Sequence, residues 1–243
     1  MEPPRKKSAR VLGVAELGEG TRVLTFSVDE PLGFIGGQFV SVGTGQVTDA
    51  GKPVRRAYSL FSDDREQDRF QVAVKHIRAD GVSGYMHALA VGDEIRFTGP
   101  WGDFHPPSGT RGPLLVVATD TGVTAALGLV RSQRLAARLH ETTFLWLRPR
   151  PDDFLPEPVV RALIPPACRD VRVELLPPIG HPERVAFVRG VVLPILAREP
   201  LAHGFAAGDG AVNYALLDDL IAAGVPATRD SLESYFNFPR KSA

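Results

Sequence analysis

The feature that most constrains this chain is a change of period at "HPPSGTRGP" (residues 105–113), nine positions that hold three prolines and two glycines. Before it, from Val11 to about Phe104, short apolar segments such as "RVLTFSV", "QFVSV", "RAYSLF", "FQVAVKHI" and "DEIRFTGP" alternate with Gly, Pro and Asp. Close spacing of this kind predicts a small antiparallel barrel or sandwich. One helix interrupts it, over "VSGYMHALA" (82–90), where Tyr85, Met86 and Leu89 share a face and Ser83 stands near the start as a cap. After it, "LLVVA" is a continuous buried-strand run, "TDTG" a turn, and "VTAALGLVRSQRLAARL" a helix with its basic residues late. The alternation continues through "TTFLWL", "LPEPVVRALI", "VRVELL", "RGVVLPILA", "GFAAG" and "AVNYALLDDLIAAG". Strands and helices in turn predict a parallel sheet covered on both faces.

Composition removes several classes of function. The formal net charge is +0, which gives no electrostatic case for nucleic acid or an anionic membrane as partner. Cys168 is the single cysteine, so no disulfide forms within the chain and no thiolate cluster can hold zinc or iron–sulfur. A reducing, cytoplasmic setting is expected. His76, His87, His105, His140, His181 and His203 show no ligand spacing, so no metal is expected. The basic "MEPPRKKSAR" reads as a solvated tail, since the "VLGV" after it is too short for a signal sequence, and no run reaches membrane-spanning length.

Within the first half, "RRAYSLFS" (55–62) sets fixed cations, a phenol and hydroxyls in a strand. Arg56 and Tyr58 point to one face, Ala57 and Ser59 to the other. A guanidinium fork suits a phosphate, and a tyrosine two residues on can lie against an aromatic ring. Two readings stay open on this motif: a seat for an aromatic phosphate ester, or an edge strand with one solvated face. In "DGVSGYMHAL" (80–89) a glycine turn leads into a helix start, and Gly81, Val82 and Ser83 offer amides and a hydroxyl to an anion. "GPWGDF" (99–104) reads as a structural double-glycine turn.

The order of "GGQFVSV" (36–42), "RRAYSLFS", "DGVSGYMHALAVGDEIRFTGPWGDF", a Pro/Gly joint and a βαβ glycine turn resembles the ferredoxin–NADP(+) reductase-like flavin oxidoreductases over nearly the whole chain. That resemblance implies a six-stranded-type antiparallel β-barrel binding flavin over 1–108 and a parallel-sheet, Rossmann-like nicotinamide domain over 109–243. It places Arg56 on the flavin pyrophosphate, Tyr58 against the isoalloxazine and Ser59 near its N5, with Gly81, Val82 and Ser83 at the phosphates. Ala57 and the strand residues Val74, Lys75 and His76 complete the flavin set. The ending "SLESYFN" (231–237) resembles the family's terminal Glu-x-aromatic element, which brings Glu233, Tyr235 and Phe236 to the other side of the flavin; Ser59, Glu233 and Tyr235 are the expected catalytic residues. The alternative for this ending is a strand packed into the core.

In the second half, Thr121 and Gly122 keep the family's glycine-turn identity, followed by Val123 and Thr124, while Thr119 and Asp120 replace small residues. An aspartate aimed at a pyrophosphate repels it; one that caps the helix points away. Ala207 stands where the family has cysteine, before Gly208 and Asp209. Arg148 and Arg150 are the cations available to a nucleotide, beside Asp152 and Asp153, and the missing serine–arginine pair after "VELLPPIG" leans to NADH over NADPH. The resemblance thus implies FAD and NAD(P)H as cofactors and a separate electron-acceptor or donor protein, ferredoxin-like or an oxygenase component. Two alternatives accompany it: a flavin-binding electron-transfer subunit of a larger redox complex, or a shell with degraded nucleotide binding. Nothing in the sequence sets the oligomeric state.

Overall fold

The computed structural model describes residues 6–18, 20–47 and 50–238. The tail expected at the N-terminus falls partly on residues 1–5, outside that set. From Lys7 onward the chain is strand and not tail, because Lys7–Arg10 pairs with Glu94–Phe97 and turns Ala9 into the core.

Six strands form the first sheet: β1 (Lys7–Glu16), β2 (Thr21–Ser27), β3 (Phe39–Val47), β4 (Pro53–Ser59), β5 (Arg69–Lys75) and β6 (Glu94–Trp101). They pair antiparallel in the order β4-β3-β6-β1-β2-β5. The end strands β4 and β5 approach each other with no ladder between them among the described residues, and helix α1 (Val82–Ala88) packs against both and against β3. The barrel is thus curled and plugged rather than closed by hydrogen bonds. Its core is an aromatic file, with Phe26 stacked on Phe70 at 5.1 Å between ring centres and Phe97 edge-on to Phe70 at 5.5 Å. Each such ring contributes about 1.5–3 kcal/mol by leaving water.

The second sheet is parallel, with β7 (Leu114–Thr119), β8 (Thr142–Arg148), β9 (Asp170–Leu175), β10 (His203–Asp209) and β11 (Leu232–Phe236) in the order β11-β10-β7-β8-β9. Every residue of β7, β8 and β10 is buried, as unbroken apolar runs require. Helices α2 (Val123–Val130), α3 (Gln133–Ala136) and α4 (Glu157–Leu163) lie on the face toward the barrel, and α5 (Arg184–Leu196) and α6 (Gly210–Ala222) cover the other. No helix among the described residues is long and apolar enough to cross a membrane.

The single helix expected over 123–139 is broken at Arg131–Ser132. Asp64 of the barrel accepts from the Gln133 amide at 2.9 Å and from the Gly36 amide at 3.0 Å, so a carboxylate from the other half starts α3 afresh. Helix α5 begins at Arg184, earlier than the "RGVVLPILA" periodicity indicates.

The two halves share one core: Val23, Phe61 and Ala73 from the barrel pack in one cluster with Phe104, Leu127 and Phe144. Helix α2 is buried along its whole length. Contact is backbone to backbone at one point, where a Cβ on Gly128 would lie 2.2 Å from the Leu60 carbonyl oxygen and one on Gly36 2.1 Å from the Gly128 oxygen. Only glycine permits that approach. Polar ties flank it, including Arg131 Nη1 to the Phe61 carbonyl at 2.9 Å.

Candidate active site

The end of β4, the loop before α1 and the C-terminal strand meet around a cleft of about 1040 Å³. Arg56, Ala57, Tyr58 and Ser59 of β4 line it, with Ala73 and Lys75 of β5 and Gly81, Val82 and Ser83 at the start of α1. Thr121, Thr124, Phe154, Ser234, Tyr235 and Phe236 face them from the second half.

Alternation along β4 separates the tandem arginines. Arg55 is consumed by the barrel: its Nε donates to Ser41 Oγ at 3.0 Å and its Nη2 to the Ser41 carbonyl at 2.5 Å and Thr98 Oγ1 at 3.1 Å. Arg56 is exposed, donates only to the Arg55 carbonyl at 3.1 Å, and forms no ion pair among the described residues. Its guanidinium is free for an anion. Tyr58 is half-buried, and burial pushes its phenol up to about 12 against the pull of the Arg56 charge, so it presents a neutral ring. Ser83 Oγ accepts from the amides of Ile77 and Arg78, both at 3.3 Å, and so folds the loop back on α1. No side chain caps α1, which leaves its first amides unclaimed by the helix.

Tyr235 reaches across from β11, its hydroxyl 2.6 Å from Ser59 Oγ. Burial raises its phenol strongly, the Glu233 charge adds to that, and the Ser59 bond opposes it. Glu233 stands two residues earlier, before the register break that leaves Tyr235 out of the β10–β11 pairing, and it is not among the residues that line the cleft. Burial, and then the charge of Asp103, push its carboxyl up to about 7. Gly102 gives it room, since a Cβ there would stand 3.0 Å from Glu233 Oε1. Asn213 Nδ2 fixes the strand by donating to the Glu233 carbonyl and to Ser234 Oγ, both at 3.0 Å.

Several expected residues lie elsewhere. Val74 is fully buried in the barrel core, because its neighbours Ala73 and Lys75 take the cleft face. The His76 ring packs against His87 at 5.0 Å. Gly122, Val123, Gly208 and Asp209 are buried beneath the turns that end β7 and β10. The structure does not bring Arg148 or Arg150 to the cleft. Arg148 is buried over the Trp146 ring, donating to Glu157 Oε2 at 2.6 Å and to the Pro151 carbonyl at 2.8 Å. Arg150 pairs with Asp152 at 3.4 Å and with Asp153 at 3.8 Å. Nearby carboxylates claim both cations. Conversely, sequence reasoning missed Phe154, which enters the cleft at φ 61, and Asp153, which meets Lys75 Nζ at 2.5 Å across the two halves. "DDF" in a proline-rich joint carries no signal for either role.

A curled six-stranded antiparallel sheet and a five-stranded parallel sheet share a core and an aromatic-walled cleft. Residues 8–105 match the family described as "Oxidoreductase FAD-binding domain". The chain resembles the ferredoxin–NADP(+) reductase-like flavin oxidoreductases, in sequence over about half its length and in fold over nearly all of it. It is 32% identical over 135 residues to the reductase subunit of an aromatic O-demethylase from Amycolatopsis, covering 54% of this chain and 39% of that one. It is 34% identical over 142 residues to ferredoxin–NADP reductase B of Sorangium cellulosum, covering 57% and 55%. The chain therefore spans about half or less of these curated relatives. Among solved structures, the Amycolatopsis cytochrome P450 reductase GcoB superposes with a TM-score of 0.71 at 22% identity, over 98% of this chain and 72% of that one. The cytochrome b5 reductase domain of Ulva prolifera nitrate reductase gives 0.70 at 17%, over 95% and 97%. At such identities these two establish the fold.

Proposed function

We propose that the chain is a flavin-dependent reductase that holds FAD in the cleft between Tyr58 and Tyr235, takes electrons from NAD(P)H and passes them to a separate ferredoxin-like or oxygenase component in the cytoplasm. One observation carries the reading: a free guanidinium at Arg56 stands beside a neutral, half-buried Tyr58 in a cleft walled on its far side by Tyr235 and Phe236. The residues fit the group. The aromatic side chains suit its ring, Arg56 suits its pyrophosphate, and Val82 and Ser83, at the uncapped start of α1, line the same cleft. Bound there, FAD supplies the exchange between a two-electron donor and one-electron acceptors.

The chain's own groups position and exclude. Tyr58 gives a flat apolar wall. Ser59 offers a hydroxyl at the cleft's inner end, where it is bonded to Tyr235. Tyr235 and Phe236 shield that end from water, so a donor ring has to displace them. Glu233 holds its proton up to about pH 7 and keeps a neutral carboxyl behind Tyr235 in acid. Relatives named as NADP and NADH reductases support a pyridine-nucleotide donor, and one named as the reductase component of phenol 2-monooxygenase supports an oxygenase partner. The lone Cys168 suits a reducing cytoplasm.

Purified protein should be yellow, with flavin near-stoichiometric to chain, and anaerobic NADH or NADPH should bleach it. Colourless protein that takes up no FAD would sink the proposal. Bleaching by dithionite and by neither nucleotide would leave the electron-transfer subunit in its place.

A further inference from the structure

The sheet order β11-β10-β7-β8-β9 changes direction between β7 and β10, and open α/β sheets bind ligands beyond the carboxyl ends of their strands at such a switch point. Here those ends are Thr119–Asp120 and Gly208–Asp209. The backbone is packed shut: a Cβ on Gly122 would lie 2.2 Å from the Ala207 carbonyl oxygen, and the Asp209 amide donates to Thr119 Oγ1 at 2.8 Å. Into this point comes Arg184, the first residue of α5, only 2% exposed. Its Nε donates to Asp209 Oδ2 at 2.7 Å, one Nη donates to Asp120 Oδ2 and the other to the Pro177 carbonyl. Asp209 is further engaged, since its Oδ1 accepts from the Ala211 amide at 2.9 Å, capping α6, and from Asn237 Nδ2 at 2.8 Å.

Two carboxylates on one guanidinium leave an excess negative charge, buried. Asp120 Oδ1 has no hydrogen-bond partner among the described residues. Its backbone sits at φ 52, a conformation that glycine adopts freely and aspartate only at some cost. Folding has therefore accepted strain and an unsatisfied oxygen to hold a carboxylate at this turn. Burial pushes that carboxyl up to about 6, with the Arg184 charge opposing and Asp209 adding, so it is ionised above neutral pH.

We propose that Asp120 sets this chain's affinity for a pyridine dinucleotide: its carboxylate occupies Arg184 and places net negative charge at the turn where the dinucleotide's pyrophosphate would rest, so the dinucleotide binds weakly. The inference rests on the reductase reading, in which that crevice serves the donor. An incoming anion has to compete with acceptors already on Nε and on both Nη atoms of this buried guanidinium, unlike the exposed Arg56 fork. Removing the Asp120 charge leaves Arg184 balanced by Asp209 alone, with one Nη released toward the turn.

The test is titration of the purified holoprotein with ADP-ribose, which carries the pyrophosphate but no reactive ring, followed by calorimetry at pH 8. Trp146 reports the same event by fluorescence in a Trp101→Phe background, because its Nε1 donates to the Asp120 carbonyl at 3.2 Å. Asp120→Gly should bind ADP-ribose at least tenfold more tightly than wild type, and Asp120→Asn, which keeps the side chain's size, should move the same way. If the glycine variant does not fold, the asparagine variant decides. Tighter binding by either folded variant supports the proposal; no tightening in any folded variant overturns it. Flavin content, read from the absorbance of the same samples, tests the reductase reading separately: a colourless wild type fails that reading, whereas a yellow protein indifferent to Asp120 fails only this one.

Discussion

Glu233→Gln isolates the most perturbed carboxyl beside the cleft. Glu233 is partly buried, and its carboxyl rises from an ordinary 4.5 to about 7 through burial and the Asp103 charge. At about 1.4 kcal/mol per pH unit, that rise corresponds to about 3 kcal/mol of folding stability. The sign follows from proton counting. Between pH 4.5 and 7 the folded state keeps the proton and the unfolded state does not, so stability falls as pH rises through that window. Below pH 4.5 both states are protonated, and the full contribution is present. Flavin-free wild-type protein should therefore lose up to about 3 kcal/mol from this group on going from pH 4.5 to 7.5, and Glu233→Gln should not. The assay is urea unfolding of both proteins across that range, read as the difference between the two curves so that other titrating groups cancel. The curves should meet at low pH, with the variant the more stable at pH 7.5. Parallel curves, or a variant less stable at pH 7.5, would refute the burial argument for Glu233.

The tandem arginines should separate cleanly. Arg55→Ala, which gives up bonds to Ser41 and Thr98, should cost about 2 kcal/mol of stability. Arg56→Ala should leave stability within about 0.5 kcal/mol and lower flavin retention on dialysis; swapped outcomes would reverse the assignment. Gly128→Ala should cost about 3 kcal/mol in a denaturant melt, because the Leu60 carbonyl facing its Cβ is backbone and cannot retreat. A smaller loss would mean that the two halves can part there without penalty. Lys75→Met should cost about 1 kcal/mol, since Asp153 is buried but the lysine is partly exposed and screened; an unchanged urea midpoint would remove this tie between the halves.

The sequence was most legible where one short segment carries both fold and chemistry. In "RRAYSLFS" the two-residue period of a strand separates the arginines, and Arg55 turns to Ser41 while Arg56 stays exposed. On this motif alone a solvated edge strand is an equal reading, and the expected division of faces does not hold, because Ala57 and Ser59 line the cleft together with Arg56 and Tyr58. The parallel sheet was equally plain, because strands covered on both faces must be largely apolar, as "LLVVA" and "TTFLWL" are. What could not be read is whatever depends on a partner far along the chain. Nothing near "VRSQRL" says that Asp64 will interrupt it. In "RPRPDD" the carboxylates beside Arg150 were visible, but not that Glu157 beyond the joint would take Arg148.

Asp120 shows why that boundary falls at the nucleotide half. From "TDTG" alone an aspartate either repels a phosphate or caps a helix, and the two differ only in where its carboxylate points. The structure takes neither course in simple form. Asp209 provides the cap on α6, and Asp120 turns instead to Arg184, 64 residues away in sequence. Local propensity argues against that choice, since φ 52 favours glycine. When a residue is held against its own preference by long-range pairing, local reasoning fails at that site, and strain of this kind concentrates where function is set. The barrel half follows its local rules closely around Arg56 and Tyr58. The second half breaks them at the turn where, on the proposed function, a donor docks.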